Sequence, residues 1–268
     1  TAYDDLMAFQ RETEALAQVA GRLGWDQETM MPRGAAEQRG EEMAAIEGVL
    51  HARRTDPRLA DWLEAAEPED DEAQAQLRLI RRSYDRATKI PAELAQALAR
   101  VTSTAQGIWA EARARDDVSA FLPTLTEVLA LKRDEAAALL WTACAMAPQS
   151  LPVYYLLYKL HAGLGQLDRA EQAALKGLDA AARAAGLNAD WRQVQPGDSD
   201  FASPGPARFW LFTIKALAFI QLRRGQRDAS QGLVEQIGRL DPSDQVGASV
   251  VRALLAECGP GSMGLKRG

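Results

Sequence analysis

The chain has no long apolar run, few cysteines and only two histidines among its 268 residues. No stretch approaches the roughly 18 to 20 apolar residues that a membrane-spanning helix needs. Residues 1–14 also lack the basic and apolar regions of a signal peptide. We therefore predict a cytoplasmic protein without a membrane partner. Two cysteines, Cys144 and Cys258, are too few for a disulfide framework, and both are predicted to be reduced.

A dense basic face is missing as well. The net charge is −6, but residues 1–135 carry 17 Lys and Arg against 26 Asp and Glu, whereas residues 136–268 carry 14 against 11. Neither half has the clustered positive charge that phosphate binding requires, which excludes nucleic acid as a partner. The change from −9 to +3 at mid-chain suggests two units of different origin.

Alternating runs of Val, Ile and Thr are absent, and the 47% of hydrophobic residues is rich in Ala, so we predict an all-α fold. Helical spacing in the first half predicts one helix that ends before Pro32 and a second that stops near Asp56-Pro57. A third begins at the acidic residues 67–72 and runs through Tyr84, and a fourth begins at Ile90-Pro91.

Three short motifs in this half occur in a recognisable order: GWDQETMMP at residues 24–32, GAAEQR at residues 34–39 and KIPAEL at residues 89–94. Together they resemble the N-terminal helical region of the carboxypeptidase Taq family of zinc metallocarboxypeptidases. The resemblance covers roughly residues 1–138. It implies an all-helical peptidase fold in which the first helices form a lid over a deep substrate groove.

The family resemblance also implies a zinc site further along the chain, in a His-Glu-x-x-His helix with a later Glu as third ligand. Two His four residues apart share one helical face and can hold a zinc, while the Glu between them activates a bound water. This sequence contains no such element, and its histidines, His51 and His161, have no partner at ligand spacing. We therefore predict no catalytic residue, metal or cofactor, and no enzyme activity. A metal site shared by the two histidines, and residual peptidase activity, are remote alternatives.

Within GWDQETMMP, we interpret Asp26 and Glu28 as capping and surface charges rather than an acid pair, because they are two residues apart in a predicted turn. Trp25, Met30 and Met31 are predicted to be packing residues, with Pro32 as the stop of the first helix.

The second half has a repeating pattern around Gly165 and Gly225. Small or apolar residues stand at the same offsets before and after both glycines, and Pro242 follows the second pair of helices. Small residues at these offsets let two antiparallel helices approach closely. Residues 136–256 resemble the tetratricopeptide-repeat family, with about two and a half repeats. The departures are a Gly before Leu178, where Ala is usual, and the long segment 186–207.

The repeat geometry predicts a concave face. Its members are aromatic, aliphatic or cationic: Tyr155, Lys159, Phe212, Lys215, Phe219, Leu222 and Arg223. From these, we predict that Tyr155, Lys159, Lys215, Phe219 and Arg223 hold an acidic or C-terminal peptide. A solvated face with packing aromatics is the alternative. The segment 186–207 is either a surface insertion or a loop whose Trp191 and Phe201 fold back onto a groove.

One putative helix, residues 118–147, joins the halves, and its apolar seam fails at the charged residues 132–135. The predicted architecture is a helical lid-type bundle, residues 1–138, joined through this shared helix to a tetratricopeptide-like array of helix hairpins. Residues 257–268 are predicted to be a flexible tail. Two unrelated helical families sharing one helix suggest a non-catalytic engineered fusion that serves as a structural scaffold. The alternatives are a natural fusion or a natural adaptor that binds a peptide or protein partner. The sequence leaves open whether the chain forms a homo-oligomer.

Overall fold

The computed structural model describes residues 1–32 and 34–257, and every regular element within these ranges is helical. The prediction of an all-α fold is thereby confirmed. None of the described helices combines the length and the apolar character that crossing a bilayer requires. Cys258 and residues 258–268 of the predicted tail lie outside the described residues, whereas Glu257 is the last residue of a helix.

The chain divides into two compact units, Thr1–Leu139 and a second that begins at Leu140. Eleven α-helices and one short 3-10 helix at Trp191–Gln193 make up the described part. The α-helices are α1 Ala2–Thr29, α2 Ala36–Arg54, α3 Arg58–Ala65, α4 Asp71–Ala87, α5 Ala92–Ala114, α6 Val118–Met146, α7 Leu151–Gly163, α8 Leu167–Ala185, α9 Pro206–Arg223, α10 Arg227–Leu240 and α11 Ser249–Glu257.

Close packing of α2 against α5 is the main helix contact of the first unit. Two glycines of α2 make it possible, because a Cβ at Gly40 would lie 2.8 Å from Cγ2 of Thr104 and one at Gly48 would lie 3.1 Å from Gln96. A separate apolar cluster of Leu6, Phe9, Leu59 and Leu63 joins α1 to α3. The unit is therefore held by two packing regions rather than one central core.

The four helices predicted for this half are present, and the first ends before Pro32 as predicted, with Thr29 as its last residue and Met30 as its C-cap. The turn predicted for Asp26 and Glu28 is wrong, because both residues lie within α1. Sequence reasoning missed α3, which begins directly after Asp56-Pro57 with Pro57 at its N-cap and places Leu59 and Leu63 in the apolar cluster. Most of GWDQETMMP is thus helical.

In the second unit, consecutive helices α7, α8, α9 and α10 pack against one another. The face of α8 toward its neighbours is made of alanines, and Ala170, Ala173 and Ala174 are completely buried. Trp210 of α9, 1% exposed, is the largest buried side chain. Gly165 and Gly225, which end the turns after α7 and α9, have φ of 72° and 78°, a region that favours glycine. The positive φ at both positions therefore explains why glycine occupies the two predicted turns.

Helix α6 runs without interruption from Val118 to Met146, with Pro123 inside its second turn. The division between the two units falls within this helix, after Leu139. Its charged segment contains an ion pair between Lys132 Nζ and Glu135 Oε2 at 3.0 Å. The charged residues 132–135, which interrupt the apolar pattern in the sequence, therefore form a regular turn of the helix.

Candidate functional site

A groove lies between α7 and α9 of the second unit, and α11 closes one side of it. The two helices run parallel, because Arg223 at the end of α9 donates to the carbonyl of Ala162 near the end of α7 at 2.8 Å. Their beginnings are also close, since Tyr154 and Phe209 both approach Gly177 of α8. The groove encloses about 480 Å³.

The structure brings all five sequence-predicted site residues to this groove: Tyr155, Lys159, Lys215, Phe219 and Arg223. Phe212 lines it too, as the predicted concave face requires. Leu222 does not, because it packs against the core of the unit.

Sequence reasoning missed the contribution of α11, which supplies Val250 and Val251 to the groove. Val250 is 60% exposed and Val251 is buried. No repeat offset could have placed these two residues, because the path of the chain after Pro242 depends on the turn at residues 241–249. In that turn, Asp241 Oδ2 accepts from the Val246 amide at 2.8 Å.

Each of the three groove cations is held by a neutral acceptor. Lys159 Nζ donates to the Tyr155 hydroxyl at 2.6 Å and lies 4.6 Å from the centre of that ring. Lys215 Nζ donates to the Val246 carbonyl at 2.6 Å. Arg223, bonded to Ala162, also lies 6.0 Å from the centre of the Phe219 ring. These bonds fix the positions of the charges without neutralising them.

The groove contains no carboxylate of its own. Its described lining has no Asp or Glu, and none of the three cations forms an ion pair with another described residue. Three aromatic rings, Tyr155, Phe212 and Phe219, remain 36 to 38% exposed beside them. Burial raises the pKa of the lining residue Tyr158 far above its ordinary value, so this hydroxyl is neutral and adds no negative charge. Such a surface can bind an anion that also carries apolar groups.

A cavity of the first unit, about 470 Å³ in volume, shows the contrast. Three cations line it, but Arg54 pairs with Glu47 at 3.2 Å, and Lys132 and Arg86 both pair with Glu135, at 3.0 and 3.7 Å. Because each of these cations is already paired with a carboxylate of the chain, an anionic ligand would compete with an existing ion pair. The groove of the second unit imposes no such cost.

His161 is completely buried. The indole N–H of Trp141 donates to its Nε2 at 3.1 Å, so Nε2 must be unprotonated. Its Nδ1 therefore carries the proton and donates to Gln166 Oε1 at 2.7 Å. Both ring nitrogens are used in this arrangement, and the residue acts as a structural link between helices.

His51 has a simpler role, because its Nε2 lies 2.8 Å from the carbonyl of Ile90 and can only donate to it. Within residues 1–32 and 34–257, no group of three or more His, Cys, Asp and Glu is placed to hold a metal ion. The residues that the structure describes therefore offer no metal-binding constellation.

The two acidic residues of GWDQETMMP, Asp26 and Glu28, differ in their surroundings. Asp26 Oδ2 accepts from Arg39 Nη2 at 2.6 Å. Arg39, whose side chain is only 10% exposed, also pairs with Glu42 at 2.9 Å. Its bond to Asp26 is the main cause of its raised pKa. Asp26 is thus a partner for a buried cation, while Glu28 is exposed as predicted.

The packing role predicted for the same motif was largely wrong. Trp25 and Met30 are 65% and 71% exposed, and only Met31 is half-buried. The residue that packs is Gln27, whose amide donates to the Ser103 carbonyl and whose oxygen accepts from the Ser103 hydroxyl, each at 2.7 Å. No pattern in the sequence marks this pair, because its members are 76 residues apart.

The segment 186–207 is neither a plain surface insertion nor a flap on the groove. Val194 and Phe201 are buried in the core of the second unit, and Phe201 lies 5.9 Å from Trp210 between ring centres. Gln236 of α10 donates to the carbonyls of Trp191 and Val194 at 3.0 and 2.7 Å. The segment is therefore an ordered part of the core.

Comparison with known proteins agrees with the helices of the first unit and with the motifs they carry. The family model of carboxypeptidase Taq (M32) metallopeptidases matches residues 5–147, and the chain belongs to this metallopeptidase family. It is 43% identical over 144 residues to thermostable carboxypeptidase 1 of Thermus thermophilus, which covers 52% of this chain and 28% of that protein. It is 28% identical over 134 residues to thermostable carboxypeptidase 1 of Pyrococcus furiosus, covering 49% and 27%. The chain thus spans little more than a quarter of the length of these relatives.

Proposed function

We propose that the second unit binds an acidic peptide or protein segment in the groove between α7 and α9. The observation that carries this proposal is the set of three fixed cations, Lys159, Lys215 and Arg223, which lie among exposed aromatic rings without a carboxylate in the described lining. A ligand that supplies the carboxylates would complete these interactions. The consecutive, closely packed helix pairs of the unit support the tetratricopeptide-like interpretation on which the prediction of a concave face was based.

The test is a titration of the intact chain with fluorescein-labelled peptides rich in Asp and Glu, followed by fluorescence anisotropy. The double substitution Lys159→Glu and Lys215→Glu should weaken binding by at least about a hundredfold, since each lost charge-assisted contact is worth about 1.5–3 kcal/mol. Arg169→Glu is the control, because it reverses one charge at an exposed position of α8 outside the groove. Unchanged affinity in the double variant would contradict the proposal.

We also propose that this chain has no carboxypeptidase activity of its own. The support is its sequence, which has no His-Glu-x-x-His element, and the use of both histidines in hydrogen bonds to other groups. The assay is release of a C-terminal amino acid from a peptide in the presence of added Zn²⁺, with the bound zinc measured by mass spectrometry. Zinc-dependent release above the rate of the buffer would disprove it.

As a second candidate function, we propose that the chain is a helical fusion in which α6 serves as a continuous connector. The observation that favours it is the uninterrupted helix from Val118 to Met146, which contains the last residues of the family match. The engineered origin suggested by the sequence stays a prediction, since a natural fusion would have the same helix.

Limited trypsin digestion tests the connector. Cleavage after Lys132 and Arg133 should be slow, because a protease needs locally unfolded chain. The variant Ala136→Pro, which breaks a helix interior at a cost of about 3 kcal/mol and leaves the bonds after Lys132 and Arg133 cleavable, is the control and should be cut rapidly there. Equal cleavage rates in the two proteins would count against a continuous connector.

A further inference from the structure

We propose that the groove selects an extended peptide in which acidic and apolar side chains alternate in the order acid, any residue, apolar residue, any residue, acid. This inference rests on the proposed peptide-binding function and adds the conformation and register of the ligand. It concerns side-chain carboxylates within a segment rather than a chain terminus.

The spacing of the α9 side chains carries the proposal. Lys215, Phe219 and Arg223 follow one another at intervals of four residues on one face of the helix. A rise of 1.5 Å per residue separates them by about 6 Å each along the axis. In an extended chain, side chains on the same face are two residues apart and about 6.6 Å from each other. Three successive same-face side chains of a peptide therefore match cation, aromatic ring and cation in turn.

The opposite wall has the same period and leaves room for the central side chain. Tyr155 and Lys159 of α7 are four residues apart, and Ala162 and Gly163 follow them where the groove passes Phe219. Ala216 of α9 also lines this part. Because these residues are small, an apolar ligand side chain has space next to the Phe219 ring. The binding position for the apolar residue thus lies between two cationic positions.

The length of the groove fits a short extended segment. Its lining spans residues 212–223 of α9, which is about 16 Å along the helix axis. At about 3.3 Å per residue, five residues of an extended chain cover this length and place three side chains on one face. A segment of five residues therefore matches the groove from end to end.

The existing hydrogen bonds prepare the cations for such a ligand. The Tyr155 hydroxyl, the Val246 carbonyl and the Ala162 carbonyl already hold Lys159, Lys215 and Arg223. Ordering a free lysine or arginine side chain on binding normally costs affinity, and here most of that ordering has occurred in the unliganded protein. The fixed spacing of the cations therefore favours peptides whose acidic side chains have the matching spacing.

Two peptides of identical composition test the register in the intact chain. The first has the core Glu-Ser-Leu-Ser-Glu and the second the core Glu-Leu-Ser-Ser-Glu, which turns the Leu to the opposite face. Both carry two glycines at each end, an amidated C-terminus and an N-terminal fluorescein, and binding is followed by anisotropy. We expect the first peptide to bind at least about tenfold more tightly, the value of one buried Leu side chain. A third peptide with Gln for both Glu should bind at least about tenfold more weakly than the first.

A protein variant provides the second measurement. Phe219→Ala should reduce the preference for the first peptide to about twofold or less, because the apolar position loses its ring, while Arg169→Ala should leave the preference unchanged. Phe219 is 36% exposed, and circular dichroism will show that the variant retains its fold.

The outcomes separate this inference from the proposed function. Equal affinity for the two isomeric peptides would overturn the register but leave acidic-peptide binding standing. The same peptides with a free C-terminal carboxylate are measured alongside. If only these bind, the proposed register is overturned and the groove recognises a chain terminus. If neither these peptides nor the wider acidic set binds, both proposals fail.

Discussion

Gly177 shows how a single missing Cβ sets the spacing of helices in the second unit. The sequence presented it as a departure from the repeat pattern, at a position where Ala is usual. In the structure, a Cβ on Gly177 would lie 2.8 Å from Cβ of Tyr154 and 3.3 Å from its Cγ. The glycine therefore lets α8 approach the aromatic residues that begin α7.

The variant Gly177→Ala should destabilise the protein despite the better helix propensity of Ala. Overpacking against Tyr154 costs about 1–3 kcal/mol, whereas the propensity gain is only about 1 kcal/mol. Gly238→Ala in α10 is the matched control, because its added Cβ would meet only the end of the Arg252 side chain at 3.4 Å. Urea denaturation should show a gain of about 0.5–1 kcal/mol for the control. A gain of stability at Gly177 would contradict the close-approach argument.

Cys144 provides a second test at the level of one side chain. The residue is 5% exposed, and burial raises the pKa of its thiol above the ordinary value of 9.0. In a Cys258→Ser background, the thiol should react with Ellman's reagent at pH 8 at least about tenfold more slowly in the native protein than in guanidinium chloride. Similar rates in the two conditions would show that the region around Cys144 opens readily.

Single residues were predictable where a helical period carried the information. The five groove residues share one face of α7 or α9, and this spacing, together with the geometry that the tetratricopeptide resemblance implies, predicted that they lie together. Trp25 and Met30 carry no such period, and their size alone suggested burial that the structure does not have. The bond between Gln27 and Ser103 joins two helices distant in sequence, which no local pattern records.

The segment Gly186–Gly205 behaves as an element although it contains only one short 3-10 helix. Gln236, 3% exposed, holds it by donating to two of its carbonyls, and Phe201 anchors its far end in the core. Buried carbonyls need such partners, since an unsatisfied group costs about 1–3 kcal/mol. The segment is consequently fixed by α10.

Gln236→Ala should therefore destabilise the second unit by about 2–4 kcal/mol, because the bonds to the Trp191 and Val194 carbonyls are both lost. Gln231→Ala is the control on the same helix. Gln231 is exposed and bonds only to Glu235 in the described structure, so its loss should change stability by less than about 0.5 kcal/mol. Chemical denaturation of both variants measures the difference, and equal effects would show that the loop contributes little.

Elements were predictable from the sequence when they were long and periodic. Helix α3 was missed because Pro57 reads as a stop, although proline is also suited to a helix beginning. The segment 186–207 was predicted to be a surface insertion or a loop folded onto a groove, and its place in the core was missed because the two buried anchors, Val194 and Phe201, are separated by polar residues. Their burial depends on helices α9 and α10, which come later in the chain.

Across the whole molecule, carboxylates with lowered pKa dominate the response to acid. The Arg100 guanidinium lowers the pKa of Glu41 below 4.5, Arg58 lowers that of Asp56 below 3.8, and hydrogen bonds from Ser249 lower that of Asp244 below 3.8. A carboxyl whose folded-state pKa is depressed contributes stability above its unfolded pKa and loses that contribution as the pH falls through the folded value.

These carboxylates should therefore make the free energy of unfolding fall steadily as the pH drops below about 4.5. Urea denaturation followed by circular dichroism at several pH values measures it. The Glu41→Gln variant should be less stable than the parent at pH 7, with a difference that is small in this exposed pair and disappears at low pH. Stability that rises with acid would contradict the sign of these shifts.

At this scale the sequence anticipated the all-helical architecture and the family of residues 5–147. The motifs at residues 24–39 and 89–94 carried that recognition, because they are local and ordered along the chain. The groove could be anticipated only in part, since α11 enters it through a turn whose conformation depends on Asp241 and Asp244. Local patterns do not encode such turns reliably.

Individual tryptophans differ sharply in burial, and this makes the protein its own spectroscopic probe. Trp25 and Trp109 of the first unit are 65% and 46% exposed, whereas Trp210 of the second is 1% exposed. Acrylamide should quench the red-shifted emission of Trp25 and Trp109 and leave the blue-shifted emission of Trp210. The loosening of the core around Trp210 can then be followed by quenching without any label.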